Sequence, residues 1–116
     1  MPRVVAYMDD LFFQMKLAET AKHLHVEVKV AGNPDALMQL MDPLPKLLIV
    51  DLNARNSPLE AVRKVRAQQP DLPIIGFLSH VQTDLAAKAK SAGSQQVMPR
   101  SQLTASLPQI LAMAKD

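Results

Sequence analysis

Three segments of the chain are mainly apolar, and they span residues 3–8, 46–51 and 74–78. Continuous apolar runs of this length are typical of parallel strands that helices cover on both faces. In residues 26–30, by contrast, Val alternates with Glu and Lys, which predicts a half-exposed strand at an edge of the sheet. Residues 95–98 predict a short last strand.

Apolar residues spaced three to four apart predict a helix after the first strand, over residues 11–24. This spacing predicts that the buried face of the helix is formed by Phe12, Met15, Ala18 or Leu17, Ala21 and Leu24.

The other helices are predicted from their start and stop signals. Asn33 followed by proline indicates an N-cap, and the Ser-Pro-Leu-Glu segment at 57–60 indicates a capping box. Thr83 or Asp84 is expected to cap the fourth helix. We expect Pro108 to shorten or bend the last helix at its first turn.

Strands and helices therefore alternate along the chain, which predicts an α/β fold with a parallel sheet covered on both faces. In such doubly wound sheets, ligands bind at the carboxyl ends of the strands. A length of 116 residues and 48% apolar residues favour one domain over residues 1–116.

Composition and charge exclude several classes of function. The absence of cysteine excludes a disulfide framework and a thiol nucleophile, and one Tyr with three Phe does not provide an aromatic platform for bases. A formal net charge of +2 does not indicate a nucleic-acid or membrane partner. Without a signal peptide or a membrane span in the pattern, we expect a cytoplasmic protein.

Acidic residues follow two of the apolar strands. Asp9 and Asp10 come after the apolar strand at residues 3–8, and Asp51 ends the apolar strand at residues 46–51. Carboxylates that converge repel each other, and a divalent cation relieves that repulsion. The pattern thus predicts a Mg²⁺ site with Asp10 and Asp51 as direct ligands and Asp9 acting through water. The simpler interpretation is that acidic residues merely end these strands.

Four segments resemble the receiver domains of bacterial two-component response regulators. They are Met8-Asp9-Asp10, Leu47–Asp51, Pro73-Ile74-Ile75 and Ala92-Gly93. The resemblance covers essentially the whole chain and implies a flavodoxin-like fold of five βα units with strand order 2-1-3-4-5. It also implies that Asp51 is the phosphoacceptor, and that the backbone carbonyl of Asn53 joins the three acids in binding Mg²⁺.

Two departures from the family pattern concern the groups that respond to phosphorylation. Met98, followed by Pro99, stands where the family has a lysine, and methionine cannot neutralise a phosphoryl group. Leu78, followed by Ser79, stands where the family has Ser or Thr. We therefore interpret the chain as a degenerate receiver, or pseudo-receiver, that binds Mg²⁺ weakly and has no organic cofactor.

Two further residues, Arg100 and His80, are open to two interpretations, and a third, Gly76, carries one expectation. Arg100 could supply the missing positive charge, but an exposed arginine in a loop is the simpler interpretation, which we favour. His80 could contact a ligand at the cleft, although a surface histidine is simpler. Gly76 lies inside a predicted strand, so another group is expected to approach its backbone closely.

We expect a stand-alone signalling module rather than an enzyme. Its partner would be a histidine kinase or another signalling protein acting in trans, or a second copy bound through the face of the fourth helix, last strand and last helix. One alternative is a working receiver that is phosphorylated at Asp51, with Arg100 replacing the lysine. Another is a small flavodoxin-like ligand-binding protein or enzyme, although no Gly-rich phosphate loop follows the first strand.

Overall fold

A computed structural model describes residues 3–79 and 82–114, and strands alternate with helices along them. The strands are β1 Arg3–Tyr7, β2 Glu27–Ala31, β3 Leu47–Asp51, β4 Ile74–Leu78 and β5 Gln96–Pro99. The helices are α1 Leu11–Leu24, α2 Pro34–Gln39, α3 Pro58–Gln68, α4 Thr83–Ala92 and α5 Arg100–Met113. All neighbouring strands are parallel, in the order β2-β1-β3-β4-β5. The predicted α/β flavodoxin-like fold and its strand order are confirmed.

The sheet separates two apolar layers because the side chains of each strand point alternately to its two faces. On one face, α1 and α5 pack against β1, β3, β4 and β5; on the other, α2, α3 and α4 complete the core. The central strands β3 and β4 are buried throughout, as their continuous apolar runs predict. The edge strand β2 is half-exposed, as its alternation predicts.

The predicted buried face of α1 is wrong at Phe12 and Met15, although Ala21 and the alternative Leu17 are buried and Leu24 packs partly buried against the core. Phe12 and Met15 are 87% and 69% exposed, whereas the buried residues of the helix are Phe13, Leu17 and Ala21. The predicted and observed stripes both have helical spacing and share Ala21 and the alternative Leu17, so the pattern alone does not set the rotation of the helix. Asp10 begins the helix, with its side chain accepting a hydrogen bond from the Phe13 amide at 3.1 Å, and Phe13 packs into the core.

Several helix ends differ from their predictions. The Asn33 cap is confirmed, since its side chain accepts from the Ala36 amide at 2.8 Å. Ser57 precedes α3 in a left-handed conformation with a φ of 53° and makes no side-chain cap, so the predicted capping box is absent there. The cap residue of α4 is Gln82 rather than Thr83 or Asp84.

Pro108 lies inside α5 rather than in its first turn, because this helix begins at Arg100. The early start of α5 brings the charged residue Arg100 to the carboxyl edge of the sheet. It also makes α5 one continuous helix whose buried side chains are Leu103, Leu107 and Leu111.

The close approach predicted at Gly76 is made by Leu52. A Cβ atom on Gly76 would lie 3.0 Å from Leu52 Cδ1 and 3.3 Å from Ser94 Oγ. Leu52 follows Asp51 and is 3% exposed, so the glycine makes room for the segment that leaves the candidate site. Across the helices that the structure describes, none is long and apolar enough to cross a membrane.

Candidate functional site

The three acidic residues lie where β1 and β3 end, but each has different partners. Asp51 is 2% exposed, and its Oδ1 accepts from the Asn53 amide at 2.9 Å. One oxygen of Asp10 caps α1. Asp9 is exposed, and its Oδ2 accepts from the Arg55 amide at 3.2 Å and lies 3.7 Å from Arg55 Nε.

Arg100 lies against this acidic cluster, so its interpretation as an exposed loop arginine is wrong. It is the first residue of α5, and its Nη2 lies 3.2 Å from Asp10 Oδ2. Its guanidinium carbon lies 5.9 Å from the centroid of the Phe13 ring and 5.8 Å from that of Phe77. These two rings contact each other, with centroids 4.9 Å apart. The arginine is therefore held by a carboxylate on one side and by aromatic rings on the other.

The surroundings of Asp51 disfavour its ionised form. Burial raises the pKa of Asp51 above the ordinary value of an aspartate, and the negative charges of Asp9 and Asp10 raise it further. The hydrogen bond from Asn53 and the positive charge of Arg100 act in the opposite direction without cancelling the effect of burial on this pKa. A positive charge close to Asp51 therefore stabilises the ionised form of this carboxyl group.

The side chain of Asn53 ties the end of β3 to the segment after β4. Its Oδ1 accepts from the Ser79 amide at 2.7 Å and from the Ser79 hydroxyl at 3.1 Å. Its Nδ2 donates to Gln82 Oε1 at 2.9 Å. Leu78, just before, is 3% exposed and packs in the core between the sheet, α3 and α4. The hydroxyl of Ser79 is therefore engaged with Asn53, while Leu78 has no group that could respond to a phosphoryl oxygen.

Met98 is also part of the core. It is 8% exposed and packs in the apolar layer between the sheet, α1 and α5. In the sheet register, Phe77 stands between Asp51 and Met98, and Pro99 pairs with Leu78. The Met98–Pro99 bond is trans, because among the described residues the cis peptide bond is Asp42–Pro43.

Comparisons with known proteins agree with this architecture. Three solved structures align over nearly the whole chain. A response regulator from Thermotoga maritima has a TM-score of 0.80 and 16% identity, covering 98% of this chain and 97% of that one. A CheY-like receiver domain protein from Methanospirillum hungatei JF-1 has a TM-score of 0.80 and 14% identity, with 99% and 97% covered. The receiver domain of NtrX from Brucella abortus has a TM-score of 0.78 and 16% identity, with 95% and 98% covered. The chain has the receiver fold of response regulators.

Sequence comparison supports this assignment over part of the chain. Regulatory protein LuxO of Vibrio vulnificus, in strains YJ016 and CMCP6, is 30% identical over 77 residues. The alignment covers 65% of this chain and 17% of LuxO, so the chain spans a small part of that relative. No family model matches the chain.

The receiver fold implies a divalent ion at the acidic edge, and the residues as arranged here do not fit one. Within residues 3–79 and 82–114, no group of three acidic or histidine side chains is placed to hold a metal ion. Asp9 is paired with Arg55, and Asp10 with Arg100. Weak Mg²⁺ binding through Asp9, Asp10, Asp51 and Asn53 would have to displace these arginines, and it stays a prediction. The suggested ligand contact of His80 lies outside the described residues.

Three residues around this cleft were not predicted from the sequence: Phe13, Phe77 and Arg55. Asp10 caps α1 through the backbone amide of Phe13, which does not set the direction of the ring. The burial of Phe13 rather than Phe12 follows from its contact with Phe77, a residue remote in the sequence. Nothing in the sequence places Arg55 beside Asp9, since this contact depends on the path of the loop after β3.

Proposed function

We propose that this chain, taken as one domain over residues 1–116, is a receiver-type signalling module in the cytoplasm. It acts through protein contacts rather than as an enzyme, and phosphorylation of Asp51 does not switch it. The observation that carries the proposal is the buried Met98, which packs in the core at the position where the resemblance expects a lysine.

A phosphoryl group on Asp51 would carry close to two negative charges and place them beside Asp9 and Asp10. Stabilising that charge requires a positive charge or hydrogen-bond donors close to it. Met98 provides neither, the Ser79 hydroxyl is engaged with Asn53, and the charge of Arg100 is already paired with Asp10. The groups present thus support a module whose conformation is independent of a phosphoryl group.

Exposed apolar residues at the start of α1 support a function in protein contacts. Leu11, Phe12 and Met15 are 70%, 87% and 69% exposed, and they lie on one side of the helix next to the acidic cleft. Contiguous exposed apolar side chains are typical of surfaces that bind proteins. We therefore propose a protein partner in trans, such as a histidine kinase or another signalling protein, in preference to a second copy bound through α4, β5 and α5.

Labelling with a phosphodonor tests this function. The protein is incubated with Mg²⁺ and acetyl phosphate and its intact mass is measured, with Asp51→Asn as the control. A response regulator that has the lysine, treated in parallel, shows that the donor is active. We expect no stoichiometric phosphoryl adduct on the wild-type chain. An adduct in the wild type that is absent from Asp51→Asn would refute the proposal.

One observation favours a second candidate function, a working receiver with Arg100 in place of the lysine. Arg100 Nη2 is 3.2 Å from Asp10 Oδ2, and its charge also acts on Asp51. In that case Asp51 becomes labelled, and Arg100→Met strongly reduces the labelling rate. Arg63→Met, which removes an exposed arginine paired with Glu60, would leave the rate unchanged.

A further inference from the structure

We infer that Arg100 is the resident cation of the acidic cleft, which is formed by Asp9, Asp10 and Asp51. Its positive charge offsets the repulsion among these carboxylates, as a divalent ion would, and it competes with such an ion for the site. This inference rests on the proposed function, since it explains how a receiver fold that is not switched keeps its acidic edge stable. Removing the charge of Arg100 should therefore convert the cleft into a better divalent-cation site.

Arg100 is partly buried, and its contacts restrict the positions that its guanidinium can take. Its Nε is fully buried, and its guanidinium carbon lies within 6 Å of the Phe13 and Phe77 ring centroids. The two rings belong to the core between the sheet, α1 and α5. A cation confined between aromatic rings and a carboxylate loses little further side-chain entropy when it pairs with that carboxylate.

Both oxygens of Asp10 are engaged. Oδ1 accepts from the Phe13 amide at the start of α1, and Oδ2 lies 3.2 Å from Arg100 Nη2. A metal ion bound to Oδ2 would have to displace the guanidinium or bear its repulsion at short range. Binding of the ion and the position of Arg100 are therefore linked, and each weakens the other.

The other arginine at this edge differs from Arg100. Arg55 is 92% exposed along its side chain and pairs with Asp9 at 3.7 Å, so solvent screens its charge. The side chains of Arg100 and Asp10 are 35% and 25% exposed. Among the described cations near Asp10 and Asp51, Arg100 thus has the partly buried position at which charge acts most strongly.

The test compares Mn²⁺ binding, as a probe for Mg²⁺, by the wild type, Arg100→Met and Arg63→Met. Methionine at position 100 keeps an unbranched side chain over the rings but removes the charge. Arg63→Met removes the same charge from an exposed ion pair with Glu60, so the two variants have equal net charge. Binding is measured from the broadening of the amide NMR signals of Asp10 and Asp51 on titration with Mn²⁺.

We expect the wild type and Arg63→Met to bind Mn²⁺ weakly and equally, and Arg100→Met to bind at least about tenfold more tightly. Arg100→Lys should stay close to the wild type. The double variant Asp10→Asn with Arg100→Met should lose the gain, because asparagine still caps α1 but carries no charge. Equal affinities of Arg100→Met and Arg63→Met would overturn the inference.

A substitute variant and a second measurement keep the test decisive. Should Arg100→Met not fold, as judged by the dispersion of its NMR spectrum, Arg100→Gln takes its place. For the unaltered protein, we expect millimolar Mg²⁺ to leave the melting temperature unchanged, and a clear rise would contradict a resident cation. Neither measurement involves a phosphoryl group, so the inference and the proposed function can fail separately.

Discussion

Asp51 combines deep burial with neighbours of both charges, and its pKa has a consequence for stability. Burial raises the pKa of Asp51 in the folded state, so the native protein holds this proton more tightly than the unfolded chain does. The contribution of Asp51 to stability is therefore fully present below the ordinary pKa of aspartate, about 3.9. It is lost as the pH rises through the raised pKa of the folded state.

Asp51→Asn should accordingly be more stable than the wild type at pH 7, because the amide has a similar shape and no charge to desolvate. The gain in free energy of unfolding should shrink as the pH falls into the ordinary range of aspartate. Urea unfolding at a series of pH values measures it, and Asp71→Asn at an exposed position controls for net charge. A variant less stable than the wild type at neutral pH contradicts this prediction.

Gly76 offers a second test at a single residue. Its added methyl group would meet Leu52 Cδ1 at 3.0 Å, and the buried Leu52 has little room to move. Gly76→Ala should lower the free energy of unfolding by about 1–3 kcal/mol, the usual cost of overpacking a core. Gly32→Ala is the matched control, since nothing lies within 4 Å of its added atom. Equal stability of the two variants would show that Leu52 yields.

Helix α1 shows what a pattern of apolar residues can and cannot predict about an element. Its bounds, residues 11–24, agree with the structure, because the spacing of apolar residues persists over the whole segment. Its rotation was predicted wrongly, because adjacent Phe12 and Phe13 each begin a stripe with helical spacing. The choice between them depends on Phe77, a tertiary neighbour that is remote in the sequence.

The two adjacent phenylalanines therefore make a matched pair for measuring the orientation of α1. Phe13→Ala should lower the free energy of unfolding by about 3–5 kcal/mol, since its ring is buried against Phe77. Phe12→Ala should change it by less than about 0.5 kcal/mol, since its ring is 87% exposed. Thermal or urea unfolding distinguishes the two, and the reverse order would restore the face predicted from the pattern.

Helix α5 carries an interior proline that costs stability. Pro108 has no amide hydrogen to donate, and its side chain is exposed, so it gains no packing in return. Pro108→Ala should raise the free energy of unfolding by about 1–3 kcal/mol, even after the unfolded chain regains some entropy. Pro58→Ala, at the favoured first position of α3, should not stabilise the protein. A loss of stability in Pro108→Ala would mean that the proline shapes α5.

For the molecule as a whole, the pattern of apolar residues predicted the strands better than the site, and the order of the strands was implied by the resemblance to receiver domains. The buried runs at β1, β3 and β4 and the edge alternation at β2 are signals of two-sided and one-sided burial, and all four strands lie where they predict. The cleft depends on contacts between distant segments. Arg100 reaches Asp10 because α5 starts directly after β5, and spacing along the chain does not report that.

The distribution of exposed apolar residues also predicts the oligomeric state. In the described part of the chain, the large apolar side chains that are exposed are Leu11, Phe12, Met15, Val30, Leu44 and Met113. Of these six residues, Met113 is the one that belongs to α4, β5 or α5. Stable homodimers bury roughly 1,200–2,000 Å² or more with an apolar centre, and that face does not supply one.

We therefore expect a monomer at micromolar concentrations, with or without acetyl phosphate and Mg²⁺. Sedimentation equilibrium over a range of protein concentrations measures the mass directly. Should a dimer form, its interface could lie on α1 or on the face of α4, β5 and α5. The double variant Phe12→Ala with Met15→Ala distinguishes the two, because loss of the dimer would locate the interface on α1, where these exposed apolar residues lie. A dimer that survives this double variant and strengthens with acetyl phosphate would mean that Asp51 still communicates with the face of α4, β5 and α5. The buried Met98 and Leu78 argue against such communication, because neither side chain can follow a phosphoryl group.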